Sequence, residues 1–169
     1  IGSSIARKLL ERGDDVVVID NLIGSARESV PEGAEFIEGD IRDPADVDRA
    51  VTGCEVVYHQ AAIRSVPRSL DEPSLVHDCN VTGTLNVLQA AEEAEVEVFV
   101  NISTDKAANP TTALGHSKRV AEKLTAWMQP IFDNMAYLLS NRLSGDQGHP
   151  THATLSSVEQ RMQQLVESG

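Results

Sequence analysis

The chain has 169 residues, long enough for one domain with a sizeable core, and is 41% hydrophobic but only 4% aromatic, which suits an α/β protein built from Val, Ile, Leu and Ala. A formal net charge of −12 works against binding phosphate backbones, so no nucleic-acid partner is expected. No run approaches the roughly 18 apolar residues of a membrane span, and Cys54 and Cys79 show neither CxxC spacing nor a ligand set beside them, so reduced thiols, a cytoplasmic location and no metal are expected.

Ile1 falls inside a helical pattern, so the chain reads as N-terminally truncated. Gly2 to Arg12 places Ile5, Ala6, Leu9 and Leu10 on one face, and Gly13 stands where a helix would stop. Val16 to Ile19 reads as a buried parallel strand ending at Asp20-Asn21. Glu35-Phe36-Ile37 is a short strand before Gly39-Asp40, Ala45 to Val51 a short helix, and Val56-Val57-Tyr58 a strand leading into His59-Gln60-Ala61-Ala62. A long helix is predicted from about 71 to 95, a buried strand over 96–102 and a helix over 111–128 opened by Pro110 at its first position. Met135 to Leu139 reads as another strand. Strand and helix in alternation imply a doubly wound parallel sheet, a partial Rossmann-like domain over 1–145. Residues 146–169 read as a loop with Gly148, His149, Pro150 and His152 and a terminal helix carrying Val158, Met162, Leu165 and Val166.

Chemistry is expected where the strand over 96–102 ends. Ser103-Thr104-Asp105-Lys106 sets hydroxyl, carboxylate and amine side by side, and parallel α/β sheets place their ligands at such strand ends. Leu114 and Lys118 are four apart and share a helical face that can look back at this corner. At the other end of the chain, Asp20 follows Gly2 by 18 residues, close to the spacing that sets a carboxylate on an adenosine ribose. Such a charge would repel a 2′-phosphate and favour NAD over NADP. The other reading of Asp20 is that it only begins a turn.

Ile1-Gly2-Ser3, Val18-Ile19-Asp20-Asn21-Leu22, Gly39-Asp40-Ile41-Arg42-Asp43, His59-Gln60-Ala61-Ala62, Asn80-Val81-Thr82-Gly83-Thr84 and Ser103-Thr104-Asp105-Lys106 together resemble the extended short-chain dehydrogenase/reductases. More narrowly, they resemble the NAD-dependent epimerases and dehydratases of nucleotide sugars. The resemblance implies NAD as cofactor and a nucleotide sugar, UDP-linked, as substrate. It implies Gly2, Asp20, Asn21, Asp40, Ile41, Ala61, Ala62 and Lys118 on the cofactor side, with Asp20 on the ribose, Asp40 and Ile41 bordering adenine and Ala61 and Ala62 passing beside the cofactor. Asn80 would be a buried polar support, and Arg64 and Arg68 would face either a substrate pyrophosphate or solvent.

Thr104, Asp105, Lys106 and Lys118 are the implied catalytic residues. Asp105 and Lys106 resemble the acid and base of inverting 4,6-dehydratases, whereas Thr104 alone would serve a 4-epimerase. Ser65-Val66-Pro67-Arg68-Ser69 looks more like the epimerases. Leu114 departs from the family, which normally has Tyr four residues before the lysine; Leu cannot accept a proton, and this favours dehydration. The resemblance also implies a homodimer formed through helices 71–95 and 111–128. The rival reading is a catalytically inactive Rossmann module for binding or assembly.

Overall fold

The computed structural model describes residues 1–128 and the backbone of a strand at 134–140. Helix α1 (Gly2–Arg12) ends at Gly13, whose φ of 98° is the left-handed cap that lets the Gly13 N–H reach the Leu10 carbonyl. Strands β1 (Val17–Asp20) and β2 (Glu35–Glu38) pair in parallel, with Val18 opposite Phe36. Helix α2 (Pro44–Val51) opens where Asp43 accepts the Ala45 N–H and Pro44 occupies the first turn. Strands β3 (Val56–His59), β4 (Val98–Thr104) and β5 (Asn134–Ser140) form the other parallel sheet in the order β3-β4-β5.

The architecture is the expected parallel α/β one, with helices on both faces. His59 of β3 bonds Thr84 in helix α5 (Gly83–Glu93), whereas its neighbour Tyr58 senses the charges of Arg12 and Asp14 at the end of α1. Adjacent strand residues point to opposite faces, so α1 and α5 lie on opposite sides. The sheet, however, is in two hydrogen-bonded pieces, β1-β2 and β3-β4-β5. These match the 3-2 and 4-5-6 portions of the doubly wound order 3-2-1-4-5-6. Val16 to Ile19 was expected to be buried, and the structure corrects this: Val17 is 36% exposed and no residue of β1 is fully buried. Its only strand partner among the described residues is β2, so one edge lacks the cover a central strand would have.

The long helix expected over 71–95 is segmented. Helix α3 (Val66–Asp71) stops before Pro73, which lacks an N–H for continuing the ladder and instead opens α4 (Pro73–His77). A π turn over Asp78–Thr82 then feeds α5. Helix α6 (Ala113–Met128) begins three residues after Pro110, not at it. Thr112 supplies its cap: the Thr112 hydroxyl accepts the Gly115 N–H at 3.2 Å and its carbonyl accepts the His116 N–H at 2.9 Å. The core gathers Ile41, Val47, Val51, Val87, Leu88 and Phe99 with Met128, joining α2, α5, β4 and α6. The loop and terminal helix expected over 146–169, with His149 and His152, lie outside the described residues.

Candidate functional site at the end of strand β4

Strand β4 is well enclosed, with Phe99, Val100, Asn101 and Ser103 buried, and its end carries the cluster expected to be chemical. Thr104 to Ala107 turn sharply through a 3-10 helix over Asp105–Ala107. The Thr104 hydroxyl donates to Asp105 Oδ1 at 2.9 Å and accepts the Lys106 N–H at 3.4 Å, while Lys106 Nζ stands 3.5 Å from the same carboxylate oxygen. Both charged side chains are about half exposed, at 57% for Asp105 and 50% for Lys106. Donation from Thr104, then the charge of Lys106, holds the Asp105 carboxyl below its ordinary range.

Helix α6 approaches this turn through Gly115. A Cβ there would lie 2.7 Å from the Lys106 carbonyl oxygen, so only glycine permits the contact. One face of the helix then delivers Leu114 and Lys118 inward, 3% and 6% exposed. Lys118 Nζ donates to the Ile102 carbonyl at 2.6 Å, so it belongs to the strand end and is not a surface lysine. Burial lowers its pKa from 10.5 to about 8, and the charge of Glu122 acts in the opposite direction.

Of the residues expected on the cofactor side, Asp20, Asn21, Asp40, Ile41, Ala61 and Ala62 lie at the end of β1 or in the loops that follow β1, β2 and β3, whereas Gly2 opens α1 and Lys118 lies on α6. Asp20 Oδ1 accepts the Leu22 N–H and the Ser25 hydroxyl, each at 2.7 Å, so the turn reading of Asp20 holds whatever else it binds. Asn21 donates to Asp40 Oδ2 at 2.9 Å, and Arg42 clasps both oxygens of Asp40, holding that carboxyl far below the usual carboxylate range. Ile41 sits with its side chain in the core and its carbonyl on Asn86. Ala61 packs against the same core, and Ala62 is half-buried. Gly2 lies against the Gln60 side chain, whose Nε2 is buried with no hydrogen-bond partner among the described residues. Arg68 pairs with Glu72 at 2.6 Å along its own surface, and Arg64 is exposed.

Behind the strand ends runs a buried polar layer that sequence reasoning only partly found. Asn80 is 1% exposed; it accepts the Ile63 N–H at 2.8 Å and donates to the Ile63 carbonyl and to Ser117 Oγ, each at 3.0 Å. This fastens the loop after β3 to α6. Thr84 spends its only hydroxyl proton on the Asn80 carbonyl at 2.7 Å, so His59 Nε2, 2.9 Å from that hydroxyl, must be the protonated ring nitrogen that donates to it. Burial, assisted by the charge of Lys118, lowers the His59 pKa to about 3 and keeps the ring neutral. The contact of Ser103 with Glu122 joins residues 19 apart and had no local signal beyond the spacing of Glu122 from Lys118. Among the described residues no group of three or more His, Cys, Asp or Glu could hold a metal, and no helix is long and apolar enough to cross a membrane.

A parallel strand-helix domain with its polar residues at the strand ends and a buried lysine beside them is a Rossmann-type α/β protein. The chain belongs to the family described as polysaccharide biosynthesis protein, whose sequence profile matches residues 9–140. It is 34% identical over 143 residues to the UDP-glucose 4-epimerase of Lactobacillus helveticus, a match covering 75% of this chain and 43% of that protein. Among solved structures, a Thermus thermophilus UDP-glucose 4-epimerase in complex with NAD superimposes with a TM-score of 0.75 at 30% identity, over 93% of this chain and 57% of that one. A dTDP-glucose 4,6-dehydratase from Streptomyces venezuelae, with NAD bound, gives 0.75 at 25% identity over 82% of this chain and 51% of that one. The chain thus spans about half the length of these relatives.

Proposed function

We propose that the full-length protein is an NAD-dependent enzyme acting on a UDP-linked sugar through a 4-keto intermediate, and that it is a 4,6-dehydratase. The observation that carries the choice is Leu114, buried and apolar where a 4-epimerase would need a proton-accepting phenol, next to an exposed Asp105–Lys106 pair. The resident groups fit NAD: Asp20 ends β1 with Oδ1 held by the turn, Gln60 Nε2 is buried beside Gly2 with no hydrogen-bond partner among the described residues, and Lys118 stands charged at the end of β4. Lys118 would hold the nicotinamide ribose, and Asp20 the adenosine ribose. Bound NAD supplies reversible hydride acceptance from sugar C4.

Once C4 is a ketone, the C5 proton is acidic. Lys106 removes it, and Asp105 donates a proton as the 6-hydroxyl leaves as water; the resulting alkene would take back the hydride at C6 and the proton from Lys106 at C5, giving the 4-keto-6-deoxy sugar, and over the cycle the 4-hydroxyl proton replaces the one Asp105 gives up. In open solvent the pair is ammonium and carboxylate, the wrong forms for base and acid. Moving one proton from Lys106 to Asp105 gives amine and carboxylic acid, and covering the pair with substrate favours that neutral form by removing water. Thr104, bonded to both residues, fixes the turn in which the exchange occurs.

The names of the relatives favour a second reading, UDP-sugar 4-epimerisation, with Thr104 on the sugar 4-hydroxyl. Incubation with UDP-sugars followed by NMR separates the two. A 4-keto-6-deoxy product that disappears in Lys106→Ala supports dehydration. Interconversion at C4 that persists in Lys106→Ala and rises in Leu114→Tyr, where a placed base is typically worth on the order of 100-fold to 10000-fold, supports epimerisation. The protein is also proposed to pair with a second copy through α6, whose Val120 and Trp127, 41% and 75% exposed, lie seven residues apart on one outward face. Sedimentation of the full-length protein as a monomer at micromolar concentration would refute the pairing.

A further inference from the structure

Two side chains of α6 grip consecutive residues at the end of β4. Lys118 Nζ donates to the Ile102 carbonyl at 2.6 Å, and the Ser103 hydroxyl donates to Glu122 Oε1 at 2.6 Å. Lys118 and Glu122 are four apart and therefore stacked on one helical face. The second carboxylate oxygen pairs with Arg119 at 3.3 Å. Ser103 is 3% exposed and the Glu122 side chain 15%, so this carboxylate is a fixed charge and not a swinging surface group.

We propose that Glu122 is the positioning residue for Lys118: fastened by Ser103 and Arg119, its carboxylate keeps the buried amine protonated and seated on the Ile102 carbonyl. The inference rests on the reading of Lys118 as the cation beside the cofactor ribose. Among the described residues, the titratable groups that act on Lys118 are His59 from β3, Cys79 from the π turn and Glu122, with Arg119 alongside on the same helix. His59 is neutral, and burial pushes the Cys79 thiol up so that it too is neutral. Glu122 is then the negative charge in this set. With the Lys118 pKa at about 8, the margin that keeps it charged at neutral pH is small, and losing one nearby anion narrows it further.

In the cofactor-free full-length protein labelled with 13C at lysine Cε, the Lys118 resonance is assigned with Lys118→Met and followed against pH by NMR. Glu122→Gln should move its midpoint down by about half a pH unit or more, as expected for loss of a partly screened neighbouring charge. Glu122→Asp should recover part of that shift, and Ser103→Ala, which keeps the carboxylate but unfastens it, should lower the midpoint by less than Glu122→Gln. An unchanged midpoint in Glu122→Gln overturns the inference. NAD affinity of Lys118→Met is measured alongside: affinity equal to that of the unsubstituted protein refutes Lys118 as a cofactor ligand, while the titration still judges Glu122.

Discussion

Replacing Lys118 by Met should stabilise the protein while weakening its hold on NAD. Burial lowers the amine from 10.5 to about 8, net of its favourable contacts. At about 1.4 kcal/mol for each pH unit, folding with this group charged costs about 3 kcal/mol relative to folding with it neutral. Methionine is close in volume, carries no charge and forfeits the bond to the Ile102 carbonyl, itself worth about 1 kcal/mol, so a net gain of about 2 kcal/mol is expected at pH 7. The sign of the pH dependence provides a check. Because the folded pKa lies below the unfolded one, the unfolded chain binds the proton more tightly between about 8 and 10.5, and stability of the unsubstituted protein rises with pH across that window. Urea unfolding of both proteins at pH 7 and at alkaline pH should show the Met variant ahead at neutral pH and the gap closing on the alkaline side. A Met variant less stable at pH 7, or a gap that does not narrow, would refute the argument that the lysine is held at a cost.

His59 should produce the opposite limb: with a folded pKa of about 3, its stabilising contribution is present above the unfolded value of 6.5 and is lost as pH falls towards 3. About 2 kcal/mol should disappear between pH 7 and 5 in urea unfolding, and His59→Gln should flatten that slope. Asp20→Ala should narrow the preference for NAD over NADP in equilibrium binding, and should also cost about 1 kcal/mol of stability through the lost bond to Leu22, whose φ of 58° leans on it. Equal affinity for both cofactors in the unsubstituted protein would remove Asp20 from the site. Gly115→Ala drives a methyl group to 2.7 Å from the Lys106 carbonyl and should displace the Asp105–Ala107 turn, lowering turnover much more than NAD affinity at a stability cost of about 1–3 kcal/mol. Equal losses of both in steady-state and binding assays would mean that the turn does not carry the chemistry.

The order of elements was legible because short apolar runs alternate with helical faces between punctuating residues, and because Gly13 ends a helix by local chemistry; the cap at Asp43 and the opening at Pro44 put the start of α2 one residue before the Ala45 expected. Lys118 was legible for a related reason: four-residue spacing from Leu114 on a helix that follows a strand sets both toward the strand end, and the bond to Ile102 bears this out. Burial was less legible, since it depends on neighbours distant in sequence. Val16 to Ile19 has the composition of a central strand, yet Val17 is 36% exposed because β1 has a strand on only one described edge. The start of α6 was misplaced at Pro110 because a proline suits a first turn, whereas the Thr112 hydroxyl decides where the helix is capped.

The least legible layer is also the one that bears most on function. Asn80 to Ile63, His59 to Thr84 and Ser103 to Glu122 are bonds between residues 17, 25 and 19 apart, made by side chains whose partners no local pattern indicates. They converge on α6 and on the ends of β3 and β4, so that Lys118 is enclosed and ordered while Asp105 and Lys106 remain half exposed on a turn. That contrast divides the work. A buried cation fixed to a carbonyl is suited to holding a partner group without exchanging protons, and the exposed acid–base pair, one proton transfer away from its reactive form, is suited to moving them. With leucine where a phenol would stand, Asp105 and Lys106 are the titratable pair left at this strand end, and that is the argument for the proposed dehydratase reading over epimerisation.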